Sequence, residues 1–149
     1  YKKPFWRENG LCGSAISRRG PLAEIHDASP CEGGVGALFG FVGLDAQSRT
    51  RMGQKELIRH ATDQLVAIFG EEASQPLATH FQDWSSEAFT AAEADQQAQT
   101  HHPRYGLTLD FGDDWGERLA LISSETSYDN GGLIEGALEC GMAYARQNR

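Results

Sequence analysis

The sequence predicts an α/β chain, and three observations carry that reading. Short apolar segments punctuated by turn residues fill the first 44 positions, and an amphipathic helical stretch follows over 46–69. Near the end, the apolar Leu121-Ile122 runs through Ser123-Ser124-Glu125-Thr126 towards a helix rich in small residues, Gly131-Gly132-Leu133-Ile134-Glu135-Gly136-Ala137. Strand, small-residue turn and helix in that order is how a Rossmann-like fold offers backbone N–H groups to a dinucleotide phosphate or a flavin edge. No G-x-G-x-x-G lies upstream, so the first half of such a site is missing from these residues. The narrower expectation is an α+β fragment: part of one β-sheet with a helix, then the last strand and helix of a Rossmann-like domain.

Taken in order, the first segments fall around Tyr1–Arg7 and Leu11–Ser17, separated by Glu8-Asn9-Gly10, and Asn-Gly is a strong local turn signal. A third segment, Leu22–His26, leads into a loop carrying Pro30 and two glycines. Val35–Leu44 is almost wholly apolar with Gly36, Gly40 and Gly43 along it, which predicts a buried strand whose glycines admit a close neighbour or a ligand. In the helix over 46–69, Leu57 or Ile58, Ala61, Leu65 and Ile68 share one face, with Glu56, Arg59, Asp63 and Gln64 opposite. Gly70 stands where a C-cap glycine belongs.

Beyond Pro76, Leu77–Trp84 reads as a strand and the Ala- and Gln-rich stretch to His102 as loop or irregular helix. Leu107–Phe111 is a candidate short strand and Arg118–Ile122 a buried one. The last helix is expected from about Gly132 to Ala145, with Ile134, Ala137, Leu138, Gly141 and Ala145 on one stripe. Gly136 and Gly141 cost roughly 1 kcal/mol each against alanine, so close packing should compensate.

Composition bounds the partners. Among 149 residues, 40% hydrophobic and 23% charged is globular rather than disordered. A net charge of −8 argues against nucleic acid or an anionic membrane as partner. No apolar run approaches the roughly 20 residues of a bilayer span. The first residues, Tyr1-Lys2-Lys3-Pro4-Phe5-Trp6, are neither an initiator methionine nor a signal sequence, so a piece of a longer chain is expected. Cys12, Cys31 and Cys140 have no metal-ligand spacing and read as small buried hydrophobes. That usage favours a reducing compartment and hence the cytoplasm.

Other constellations are weak. His101-His102 lacks a second ligand pair. Asp110, Asp113 and Asp114 lack the calcium-loop spacing. Ser123-Ser124 has no nearby histidine to act as base. No metal site and no catalytic acid or base is expected.

The order and spacing of Tyr1-Lys2-Lys3-Pro4-Phe5-Trp6-Arg7, Cys12-Gly13, Gly36 to Phe41, the helix ending at Gly70, Asp83-Trp84 and the segment from Ser123 to Ala137 resembles the C-terminal part of the flavin-dependent amine oxidases. That family includes monoamine, polyamine and L-amino acid oxidases. Its F-A-G-T-E-T…G-Y-M-E-G-A motif aligns here without a gap onto the stretch ending Ile122-Ser123-Ser124-Glu125-Thr126 and then Gly132-Leu133-Ile134-Glu135-Gly136-Ala137. The resemblance covers essentially the whole chain.

The resemblance implies an FAD cofactor held by Ser123, Ser124, Glu125, Leu133 and Ile134, largely through backbone N–H groups. It places Trp84 near the flavin, and Phe39 and Phe41 in the substrate cavity. Alternate strand residues share a face, so both phenylalanines can point into it. Residues 1–85 would belong to the substrate-binding domain and 86–149 to the C-terminal part of the FAD-binding domain. The parent reaction would oxidise a C–N bond of an amine or amino acid by hydride transfer to FAD, with dioxygen as acceptor.

Three departures qualify what is carried over. Glu93 stands where members with covalent flavin have cysteine, which implies non-covalent FAD. Ala94 and Leu133 replace the two rings that sandwich the substrate amine in many members, so a small aromatic monoamine is a doubtful substrate. Ser123 replaces the glycine of G-T-E. The N-terminal FAD-domain portion is not in these residues, so the chain alone builds an incomplete site, and uncovered edges favour self-association. The alternative is a non-enzymatic α+β interaction module or an FAD-free degenerate relative.

Overall fold

The structure, a computed structural model, describes residues 1–97, 104–106 and 118–148. The chain divides into two compact units, Tyr1–Gln99 and Thr100–Arg149.

The first unit is built on a three-stranded antiparallel sheet in the order β1 (Ala15–Ile16), β2 (Leu22–Asp27), β3 (Leu38–Val42). Before it lies a single helical turn, α1 (Phe5–Glu8). The sequence predicts an extended segment there. Phe5 and Trp6 are adjacent and both buried, whereas neighbours on a strand point to opposite faces. Pro4, with φ fixed at −76°, starts the turn that sends both rings into one core. The next expected segment shortens to the two residues of β1, after the turn at Asn9-Gly10.

β3 lies within the expected Val35–Leu44 strand, but it is not buried. It alternates half-buried and exposed positions, with Phe39 49% and Phe41 55% exposed. Only one face of the antiparallel sheet packs on the core. That core joins Phe5, Trp6, Leu22, Ile25, Phe69 and Ala73.

The helix over 46–69 is two helices, α2 (Ala46–Met52) and α3 (Gln54–Phe69). Gly53 separates them at φ +78°, ψ 151°, a left-handed conformation that glycine adopts freely. Gly70 ends α3 as the sequence predicts, with its N–H on the Val66 carbonyl at 2.9 Å. Leu57 is buried, and Ala61, Leu65 and Ile68 pack against the core.

Gln64, expected on the solvent face, is buried instead. Its Oε1 accepts from Leu22 N–H at 2.9 Å, and its Nε2 donates to the Leu22 carbonyl at 2.7 Å. The β2–β3 register slips between Leu22 and Glu24, and the Gln64 amide supplies both hydrogen bonds at that position.

Residues 77–83 form no strand, and a short 3-10 turn at Trp84–Ser86 follows. Nor is there a buried strand at 118–122, where Leu119, Leu121 and Ile122 are 43, 44 and 49% exposed. A buried strand needs neighbours on both edges and cover on its faces, and among the described residues nothing pairs with either segment. The expected strand at Leu107–Phe111 and the end of the Ala- and Gln-rich stretch lie outside the described residues.

In the second unit, a 3-10 turn at Ser124–Thr126 precedes α4 (Ile134–Gln147), the helix expected there. Its expected inward stripe faces out: Ile134, Ala137, Leu138 and Ala145 are exposed, while Gly136 is buried and Cys140 and Gly141 are half-buried. The reason is a polar clasp on α4. Glu139 accepts from Ser127 Oγ at 3.2 Å and Asn130 Nδ2 at 2.7 Å, which turns the Gly136–Cys140 side towards residues 126–130. A Cβ at Gly136 would lie 2.1 Å from the Asn130 carbonyl oxygen, so this approach requires glycine. The cysteine expectation fails as well: Cys12 and Cys31 are exposed and Cys140 half-buried, because the first two sit in polar, turn-rich loops.

Candidate functional site

Alternation along β3 sets Phe39 and Phe41 on one face, with ring centroids 4.8 Å apart and planes at 85°. Edge-to-face contact is a favoured arrangement for two aromatic quadrupoles. Opposite them runs the irregular segment 80–85, carrying His80, Phe81 and Trp84. The two walls enclose a cleft of about 600 Å³ into which Phe39, Phe41 and Trp84 all face. The structure thus brings together three residues separated by 45 positions of sequence.

An ion pair lies at the edge of this cleft. Arg49 of α2 donates from Nε to Asp83 Oδ2 at 2.8 Å and from Nη2 to Asp83 Oδ1 at 2.6 Å. The same guanidinium reaches Ser85 Oγ at 3.0 Å and the Leu44 carbonyl at 2.6 Å. The Arg49 hydrogen bonds, against the opposing effect of burial, hold the Asp83 carboxyl well below the usual carboxylate range, and Ser85 adds to them. In turn, the Asp83 hydrogen bond raises Arg49 more than burial lowers it. Asp83 is the only acid among the described residues lining the cleft, and its charge is already matched.

The second unit holds the other expected residues. The Ser123 N–H donates to Thr126 Oγ1 at 3.3 Å, and Thr126 Oγ1 donates to the Ser123 carbonyl at 2.7 Å. Gly132 N–H meets the Ser124 carbonyl at 3.3 Å and Leu133 N–H the Asn130 carbonyl at 3.1 Å. Ser123, Ser124, Glu125, Leu133 and Ile134 are therefore parts of one turn tied to the start of one helix. Ser123 has φ −120° and ψ 166°, extended backbone that costs a serine nothing. The Glu125 carboxyl is held below its ordinary range, first by its own N–H and then by the Ser123 and Ser124 hydroxyls.

At the start of α4, the N–H groups of Ile134, Glu135 and Gly136 precede the first intrahelical bond, Ala137 to Leu133 at 3.3 Å. Leu133 occupies the N-cap position and offers no side-chain acceptor. These donors suit an anion or a ligand carbonyl.

Sequence reasoning missed Arg49, Gln64 and the Ser127–Asn130–Glu139 clasp. Arg49 and Asp83 are 34 positions apart, and no local pattern links them. Among the described residues, no group of three His, Cys, Asp or Glu could hold a metal ion, and no helix is long and apolar enough to cross a membrane. His101-His102 and Asp110, Asp113 and Asp114 lie outside the described residues.

Comparison with known proteins shows what the chain is similar to. A family model described as flavin containing amine oxidoreductase matches residues 1–147. Flavin-containing amine oxidase B of Sus scrofa is 28% identical over 154 residues, covering 99% of this chain and 29% of that protein. The Homo sapiens protein of the same name is also 28% identical, over 156 residues, with the same coverage. The fold matches a solved structure of wild-type putrescine oxidase bound to putrescine with a TM-score of 0.70 at 24% identity, over 99% of this chain and 32% of that one. The chain thus spans about a third of the length of these relatives.

Proposed function

Because the chain belongs to the flavin-containing amine oxidoreductase family, we propose that it is part of an amine oxidase acting on the C–N bond of an amine or amino acid. Family membership implies FAD in the complete protein. Bound FAD would supply the acceptor for a hydride from the substrate carbon, with dioxygen as the final electron acceptor.

The residues present fit that cofactor at one end of α4. The uncapped N–H groups of Ile134, Glu135 and Gly136 are donors for phosphate or ring oxygens, and the Glu125 carboxylate is an acceptor for hydroxyls. Ser123, Ser124 and Leu133 hold the turn that presents them. Glu93 brings no thiol to the position of covalent attachment, so the FAD is held non-covalently. Residues 1–85 serve the substrate-binding domain and 86–149 the FAD-binding domain, whose N-terminal portion completes the site.

The observation that carries the reading is the convergence of Phe39, Phe41 and Trp84 on one cleft. Its aromatic walls offer apolar surface to the amine's carbon skeleton. The test uses the complete protein carrying this stretch. A yellow preparation that releases its flavin on heat denaturation, and yields hydrogen peroxide with an amine or amino acid, supports the proposal. A colourless, inactive complete protein overturns it.

The exposed Ile134, Leu138 and Met142 of α4, at 78, 60 and 53%, favour a second reading as an interaction module. That module would never bind flavin, even with the N-terminal portion supplied, whereas a monodisperse monomer of the isolated chain at high concentration in light scattering would count against the fragment reading, whose uncovered faces favour self-association.

A further inference from the structure

We propose that Arg49 is a positioning residue for the aromatic cleft, fixing the separation of its two walls and so the fit of substrate. This rests on the reading that the cleft receives substrate. One wall is β3 with Phe39 and Phe41, and the chain leaves it through Leu44, whose carbonyl takes Arg49 Nη1 at 2.6 Å. The other wall is the turn bearing Trp84. Arg49 holds the residues on either side of that tryptophan, Asp83 through two bonds and Ser85 through one.

A single planar group therefore ties both walls. Trp84 itself is 64% exposed within this chain, so packing against these residues does little to place its ring, and the bonds beside it hold the turn that carries it. Arg49 is well held in turn. Its helix is capped by Asp45, which accepts from Ser48 N–H at 2.9 Å, and the Arg49 and Asp83 side chains are 17% and 20% exposed. Lysine keeps the charge but has one nitrogen, which cannot reach a carboxylate fork, a hydroxyl and a carbonyl together.

The experiment compares KM and kcat of the complete FAD-loaded protein for a compact and a bulky amine, with Phe41→Ala as the reference for the cleft. Misplacing a substrate-positioning group by an ångström can cost orders of magnitude. Arg49→Lys is expected to raise KM for the bulky amine about ten-fold, with a smaller change in kcat and an unaltered flavin spectrum. Asp83→Asn and Ser85→Ala should follow in the same direction by smaller factors. Added guanidinium ion should lower the raised KM of Arg49→Gly, and the larger effect on the bulky than on the compact amine is what a merely structural role would not show.

If Phe41→Ala raises KM while Arg49→Lys and Asp83→Asn leave both amines unchanged, the positioning role is overturned and the cleft stands. If Phe41→Ala leaves KM untouched, the cleft reading itself falls, and the Arg49 role with it.

Discussion

Two regions of this chain are held together by different physics. In Tyr1–Gln99, Trp6 and Ile25 are fully buried, and Phe5, Leu22, Phe69 and Ala73 close around them. In the described part of Thr100–Arg149 the buried residues are Ser127 and Gly136, and no apolar side chain larger than a methyl is among them. The first region has an interior from which the hydrophobic effect draws stability. Among its described residues the second is fastened by hydrogen bonds from Ser127 and Asn130 to Glu139, and Leu119, Leu121, Ile122, Leu133, Ile134, Leu138 and Met142 are exposed. A region assembled in that way keeps its shape in isolation less well than one with a core, which accords with a chain spanning a third of its relatives' length.

The sharpest way to break this contrast is to truncate one apolar side chain in each region. Trp6→Ala removes a fully buried indole that also donates to Asp27 Oδ2 at 2.8 Å. It should cost about 3–5 kcal/mol, read as a fall in the urea midpoint followed by near-UV circular dichroism. Leu138→Ala, at a position 60% exposed, should stay within about 0.5 kcal/mol. Equal costs would mean that the second region has an apolar interior after all.

The same contrast explains what the sequence could convey. β2, α3 and α4 were legible because their signals are local: apolar runs, a 3.6-residue period, a glycine at Gly70. The break at Gly53 was present in the sequence, but one glycine in a helical pattern is ordinarily tolerated. The missed features rest on partners far away in sequence. Gln64 looks like a solvent-facing residue until the slipped register at Leu22 leaves an N–H and a carbonyl for it to meet. Phe39, Phe41 and Trp84, which line one cleft, were singled out through the family motif, whereas Arg49, which bonds to both of its walls, was not. The two false strands, at 77–84 and 118–122, had strand-like composition, but a strand is made by its neighbours.

Gln64 supplies the next test within the first region. Gln64→Leu keeps the bulk but leaves the Leu22 N–H and carbonyl without their partners. Orphaned buried groups cost about 1–3 kcal/mol each, so a loss of about 2 kcal/mol or more is expected in urea denaturation. Gln64→Glu keeps an acceptor for the Leu22 N–H but sets a buried carboxylate oxygen against the Leu22 carbonyl, so at neutral pH it should lose at least as much. If leucine proves neutral, water replaces the amide and β2 is less protected at that end than its burial indicates.

In the second region the corresponding test is Gly136→Ala. The added methyl would meet the Asn130 carbonyl oxygen at 2.1 Å and Ser127 Cβ at 2.9 Å, so α4 must move off residues 127–130. Overpacking of this kind costs about 1–3 kcal/mol, and here it should also open the loop. Limited proteolysis is the direct readout, with faster cleavage between residues 124 and 133 and unchanged protection of β2. Slower or equal cleavage would show that the clasp, rather than the close approach, sets the loop.

The smallest effect is the pH dependence, and its sign follows from two carboxyls of the first region. Burial acts to raise Asp27, but hydrogen bonds from Ser29, Arg7 and Trp6 outweigh it and hold the group well below its ordinary range. Asp83 is depressed as well, chiefly by Arg49. With the folded value below the unfolded value of about 3.9, the unfolded chain binds protons first as pH falls. The stability each carboxyl contributes is therefore complete above about pH 5 and declines as the medium acidifies towards the folded value. At pH 4 the loss is only about 0.4 kcal/mol per group, the free energy of half-protonating the unfolded carboxyl. Urea midpoints at pH 7, 5 and 3.5 should fall in that order below pH 5. The gap between the native protein and Asp27→Asn should narrow over the same interval, because protonation makes the aspartate a neutral group like the asparagine. A gap that stays constant with pH would assign the role of Asp27 to shape rather than to charge.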